Sequence, residues 1–226
     1  MDTSPDASNP APPMRLAVFA SGGGTNFQAI LDAIADGDLP ATVALCVSNR
    51  PDAGALERAE RHDVPTAVLD PDAFSSAKAF AEELLSTLSD FRVTFIALAG
   101  YLRKIPSPVI ERFRHRITNI HPALLPAFGG KGMYGMNVHR AVVEHGVRWS
   151  GATVHLVDET YDTGPIVLQE PVPVYPEDTP QQLADRILPV EHRLYSEALR
   201  LFAEGRIRLE GRTVHIDAPA TPSPDS

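Results

Sequence analysis

Arg15-Leu16-Ala17-Val18-Phe19-Ala20-Ser21-Gly22-Gly23-Gly24-Thr25-Asn26, continuing into Phe27-Gln28-Ala29-Ile30-Leu31-Asp32-Ala33-Ile34, reads as strand, glycine loop and helix. The apolar run stops sharply at Ser21, and Phe27, Ile30, Leu31 and Ile34 then recur at helical spacing. Glycines let backbone N–H groups approach an anion closely, and the helix start adds the positive end of its dipole. A phosphate fits such a turn. Two common phosphate patterns are excluded by spacing. No Gly-Lys-Ser/Thr follows, as a Walker A loop requires, and Phe27 stands where the dinucleotide fingerprint has glycine. Ser48-Asn49-Arg50, after the next strand, lacks the acid that would hold a dinucleotide's ribose. A tight strand-to-helix turn would use the same glycines without any ligand, so the loop alone leaves both readings open.

Outward from this unit the rhythm repeats: strand Thr42 to Val47, helix Gly54 to Arg61, strand Thr66 to Leu69, helix Ser76 to Ser89 and strand Val93 to Ala99. Alternating strands and helices predict an α/β fold: one domain with a mostly parallel, twisted, Rossmann-like sheet and helices on both faces. Further on, helix Asn137 to His145 precedes an alternating strand, Ala152 to Val157, with Thr153, His155 and Val157 on one face. Strand Ile166 to Val172 comes next. Thr179-Pro180-Gln181-Gln182 is a helix start with N-cap, proline in the first turn and a capping box. That helix should reach Phe202, kinked at Pro189. Arg206 to Leu209 and Arg212 to Ile216, around Glu210-Gly211, form a small hairpin. The domain is expected over 14–217, with disordered tails at 1–13 and 218–226, which are built of Asp, Ser, Ala and Pro with little to bury.

Composition narrows the partners. A net charge of −9 over 226 residues argues against a nucleic-acid groove or an anionic membrane surface, so anionic small molecules must be held by local devices. The single cysteine, Cys46, lies in an apolar run and reads as core filler; it excludes an intrachain disulfide and a multi-cysteine metal site. No stretch approaches the roughly 20 apolar residues of a membrane span, and no apolar leader or arginine-rich amphipathic helix opens the chain, so a cytoplasmic location is expected.

Asn119-Ile120-His121-Pro122-Ala123-Leu124-Leu125-Pro126 carries the chemistry. In extended chain Asn119 and His121 project from one face. Pro122 keeps His121 extended and, lacking an N–H, ends the strand there. An amide and an imidazole at a strand's carboxyl end sit where open α/β sheets place their ligands. Gly100 to Pro106 follows another strand and should line the same crevice. Ala127 to Gly135 is too glycine-rich for an element and is expected to be a mobile loop over the site, where Lys131 either attracts an anion or simply solvates the loop.

The octapeptide is the signature of the folate-dependent formyltransferases, and the chain resembles that family from about residue 14 to residue 204. Four separated motifs carry the resemblance: Ser-Gly-Gly-Gly-Thr-Asn at 21–26, Ala-Gly-Tyr-Leu-Arg at 99–103, the octapeptide at 119–126, and Asp-x-Gly-Pro at 162–165. Together they are highly specific. The resemblance implies transfer of formyl from 10-formyltetrahydrofolate, as co-substrate, to the amine of N1-(5-phospho-D-ribosyl)glycinamide in purine (IMP) biosynthesis. It implies no metal, small-molecule partners only, and a monomer or homodimer. It assigns the phosphate to Gly24, Thr25 and Asn26, the substrate ribose to Glu191, and the folate to Leu102, Arg103, Lys104, Ile105 and Asn119. Asn119, His121 and Asp162 match its catalytic trio, with Asp162 expected to keep His121 cationic. Where the family often has an arginine for the folate's glutamate tail, this chain has Ala77-Lys78, which leaves Lys78 as a possible substitute. The loop at 129–135 is longer than in the better-known bacterial members.

Other readings compete. A formyltransferase acting on methionyl-tRNA would need a C-terminal nucleic-acid-binding domain, and a formyltetrahydrofolate hydrolase an N-terminal regulatory one; neither is expected from the chain's two ends. A non-catalytic nucleotide- or folate-binding module would keep the pocket without turnover, a reading the complete trio disfavours.

Overall fold

The computed structural model describes residues 13–219. Apart from Pro13, Ala218 and Pro219, the expected tails lie outside the described residues. The chain opens with strand β1 (Met14–Phe19), helix α1 (Thr25–Ala35), β2 (Ala41–Ser48), α2 (Gly54–Arg61), β3 (Thr66–Val68), α3 (Ala77–Asp90) and β4 (Phe95–Leu98). A short α4 (Ser107–Arg112) and β5 (Ile117–His121) follow, then α5 (Met136–Glu144), β6 (Trp149–Leu156), β7 (Ile166–Pro173) and α6 (Pro180–Ala203). The hairpin β8 (Ile207–Glu210) and β9 (Thr213–Ile216) comes last.

Seven strands form one sheet in the order β3-β2-β1-β4-β5-β6-β7. β1 pairs in parallel with β2 and β4, and β4 with β5, whereas β6 runs antiparallel to both β5 and β7. The order therefore reverses between β1 and β4, which opens a crevice at their carboxyl ends. The apolar run at residues 15–20 is explained by burial on both faces. Leu16 and Val18 join the core under α1, α5 and α6, while the alternate residues Ala17 and Phe19 join the core under α3 and α4. Cys46 is fully buried on the Leu16 and Val18 side, its thiol pushed up to about 12 by burial, so it fills space rather than reacts.

Helix boundaries follow the capping chemistry. Ser76 accepts the N–H of Ala79 and so caps α3. Thr179 and Gln182 form both bonds of a capping box, and α6 runs 24 residues, with Pro189 inside it. Two elements lie outside the sequence expectation, α4 and a 3-10 turn at Pro71–Ala73. Each is short and begins with a proline in its first turn, too little length for a periodic pattern. β4 is also shorter than expected, and beyond Ala99 the chain meets the glycine loop: Ser21 N–H bonds Gly100 O at 3.0 Å, and its hydroxyl accepts Leu102 N–H at 2.9 Å.

Candidate active site

The crevice is a cavity of about 910 Å³. At one end stand residues 22–26, and Gly24 takes φ +72 because the turn must swing into α1. An added Cβ there would lie 2.8 Å from Cα and Cβ of Ala55, so only glycine fits. The first amides of α1 have no acceptor inside the helix, and Gln28 is the first to find one, at Gly24 O. Asn26 is buried with its amide donating to Glu191 Oε2 at 2.8 Å, while Asn26 Oδ1 has no partner among the described residues. Glu191 is 9% exposed; burial raises its carboxyl above the ordinary range, only partly offset by the Asn26 amide.

At the other end β5 delivers Asn119 and His121 to one face, as alternation requires. Tyr195 of α6 fixes their height, its hydroxyl lying 3.1 Å from the carbonyls of both Leu98 and Thr118. Asp162 comes from the turn between β6 and β7 with φ +57. Its Oδ2 accepts the N–H of Gly130 at 2.8 Å and stands 3.7 Å from His121 Nδ1. The latter is ion-pair range, too long for a direct hydrogen bond. His121 Nε2–H donates to Phe128 O at 2.8 Å. Burial pushes the Asp162 carboxyl up, but its polar surroundings, among them the Gly130 N–H, outweigh that and hold the group below the usual carboxylate range.

The expectation that Asp162 keeps His121 cationic meets an opposing cause, burial. His121 is 3% exposed, and desolvation pulls its pKa below the ordinary histidine value despite the opposing pull of Asp162 and the Phe128 carbonyl.

Two participants were not singled out from sequence. His155 lies directly across the ladder from Asn119, and cross-strand partners share a face. Its Nδ1–H donates to Leu156 O at 2.8 Å, which leaves Nε2 to accept the Asn119 amide at 3.1 Å and to lie 3.5 Å from Asp162 Oδ1. His155 thereby determines which end of the Asn119 side chain is the donor. Thr153, opposite His121, donates to Ala123 O at 2.6 Å and accepts from Leu125 N–H and from the Gln169 amide, pinning the segment after His121.

The strip Leu102 to Ile105 lines the cavity wall. Leu102 is 46% exposed, whereas Ile105 is buried beneath it. Arg103 is committed to Asp70 and Asp72. Lys131 lines the cavity and is solvent-exposed. Lys78 does not line it: its side chain is 84% exposed and pairs along α3 with Glu82, so a role on the folate tail has no geometric support. No described helix is long and apolar enough to cross a membrane.

Comparison with known proteins identifies the family. The family described as formyl transferase matches residues 14–199. A protein of Arabidopsis thaliana named phosphoribosylglycinamide formyltransferase, chloroplastic, is 46% identical over 195 residues, covering 86% of this chain and 67% of that protein. Its Vigna unguiculata counterpart is 47% identical, and this chain spans 62% of its length. The phosphoribosylglycinamide formyltransferase of Haemophilus influenzae is 38% identical, with 92% of this chain and 96% of that protein covered. Among solved structures, glycinamide ribonucleotide transformylase 1 from Symbiobacterium toebii superposes with a TM-score of 0.85 at 47% identity, covering 91% of this chain and 94% of that one. With a family match across most of its length and relatives covered nearly end to end, the chain belongs to the formyl transferase family, among its phosphoribosylglycinamide formyltransferase enzymes.

Proposed function

We propose that this chain transfers the formyl group of 10-formyltetrahydrofolate to the amine of N1-(5-phospho-D-ribosyl)glycinamide in purine biosynthesis. The observation that carries the proposal is that Asn119, His121 and Asp162 meet at one end of the same cavity whose other end is lined by residues 22–26 and Glu191. Gly24, Thr25 and Asn26 take the phosphate on backbone amides and the α1 dipole. Glu191, already oriented by Asn26, accepts the ribose hydroxyls. Leu102 to Ile105 face the folate ring, and Asn119 contacts its formyl group. The apolar wall of Leu98, Leu102, Ile105, Ile110 and Val157 suits a flat heterocycle.

The amine attacks the formyl carbon directly, so no enzyme nucleophile is needed. An amide NH₂ has two hydrogens: Asn119 gives one to His155 and keeps the second for the developing oxyanion. His121 takes the amine's proton on Nδ1, the nitrogen not committed to Phe128. Asp162, 3.7 Å away, stabilises the imidazolium so formed. The same proton then goes to the departing folate nitrogen as the C–N bond breaks, so the balance closes without external acid.

The test is a wild-type assay with 10-formyltetrahydrofolate in the presence and absence of phosphoribosylglycinamide. Formylated product and tetrahydrofolate should appear in equal amounts and only with the acceptor present. Release of formate at the same rate without acceptor would make the chain a hydrolase, and no turnover at all a binding module.

A further inference from the structure

The glycine loop needs its carbonyls turned outward if its amides are to face the cavity, and α2 supplies that constraint. In a trans peptide the C=O of one residue and the N–H of the next point in opposite directions. Ala55 N–H holds Gly22 O at 3.1 Å, and the Arg58 Nε–H holds Gly23 O at 2.7 Å. The N–H groups of Gly23 and Gly24 are thereby directed away from α2. The helix start also presses on the loop itself: a Cβ at Gly54 would lie 3.3 Å from Gly23 Cα.

The arginines of this chain divide into those that pair with a carboxylate and those, such as Arg15, Arg61, Arg116 and Arg58, that give to carbonyl oxygens. Arg50, Arg103, Arg186, Arg193, Arg200, Arg206 and Arg208 each pair with a carboxylate. Arg58 instead gives Nε–H to a glycine carbonyl and an Nη1–H to the Gln28 side chain at 3.1 Å, with no carboxylate within ion-pair reach among the described residues. A half-buried cation thus sits directly behind the loop without lining the cavity, linked to the Asp32 carboxylate only through Gln28.

We propose that Arg58 is a positioning residue for the acceptor's phosphate, orienting the Gly23–Gly24 peptide toward the anion and adding positive potential from behind it. The proposal rests on the phosphate reading of the glycine loop given above. It predicts a coupling between one side chain and one substrate group that never touch.

The experiment compares wild type and Arg58→Gln on phosphoribosylglycinamide and on its dephosphorylated riboside. Wild type should strongly prefer the phosphorylated acceptor. Arg58→Gln should lose roughly tenfold in kcat/KM on that acceptor, the scale of one charge-assisted hydrogen bond, with the loss in KM and kcat near wild type. On the riboside it should lose little. Arg58→Lys, which keeps the charge but not the planar donor, should fall between them. It serves in the same comparison if Arg58→Gln fails to fold, and its loss should again be confined to the phosphorylated acceptor. Equal losses on both acceptors would overturn the proposal in favour of a purely structural arginine, and no loss on either would overturn it outright. Wild type indifferent to the phosphate would instead sink the phosphate reading itself.

Discussion

The two ends of the cavity are built on opposite principles. The glycine-loop end is made of backbone: amides that every residue carries, aimed by a turn, a helix start and the pressure of α2. The Asn119 end is made of side chains from β5, β6 and the β6–β7 turn, each dependent on a neighbour for its orientation. Backbone dipoles cannot be deleted by substitution, only misaimed, whereas a side chain can be removed outright. Damage at the first end should therefore appear mainly in KM, and at the second mainly in kcat.

The largest effect that would sharpen this contrast is Asn119→Ala. Loss of an oxyanion donor should lower kcat by about 10²–10³ with the affinity for phosphoribosylglycinamide, measured by calorimetry, nearly unchanged. His121→Ala should behave alike; a parallel collapse of affinity in either variant would erase the distinction between the two ends. Next comes Gly24→Ala, in which the new Cβ meets Ala55 at 2.8 Å in a left-handed backbone. Strain of about 1–3 kcal/mol should misaim the amides and raise KM by an order of magnitude while kcat stays close to wild type. A kcat loss larger than the KM change would break the comparison.

Glu191→Gln should do less. The amide keeps a hydrogen-bonding oxygen for Asn26 but loses the charge, and KM should rise several-fold, on the order of 1 kcal/mol, with no change in the pH at which kcat falls. A shift in that pH would move Glu191 into the chemistry. The smallest effect concerns stability. His139, on α5 facing the cavity, is buried with Nδ1 unpartnered, and burial, aided by nearby His121, lowers its pKa from 6.5 to about 4. Its neutral form is the folded one, so the unfolded chain binds the extra proton below pH 6.5. Stability present above that value is lost as pH falls toward about 4. His139→Gln should flatten the decline in Tm over this window, and an unchanged profile would assign the acid sensitivity to other groups, His121 first.

Legibility in the sequence followed the same divide. The backbone end was readable because glycine spacing, a strand and a helix start are all local, within residues 15–34. β5 was equally plain: alternation placed Asn119 and His121 together, and Pro122 ended the strand where the structure ends it. Their partners were not readable on physical grounds. Whether Asp162 reaches His121 depends on the β6–β7 turn, and the residue opposite Asn119 depends on an antiparallel register that nothing in residues 149–156 specifies. His155 had been noted on the same face as Thr153, which was the available signal; only the ladder made it Asn119's partner. For His121, sequence displays the carboxylate but not the burial that opposes it. Nothing local marks Arg58, since the carbonyl it holds belongs to a loop 35 positions earlier.

A crystal structure of the protein with phosphoribosylglycinamide and a non-transferring folate analogue would test the central claim most directly. The account predicts the phosphate on the amides of residues 24–26, the ribose on Glu191, and the acceptor nitrogen between Asn119 and His121 within reach of the formyl position. A phosphate bound elsewhere in the cavity, or an amine directed away from Asn119 and His121, would contradict it.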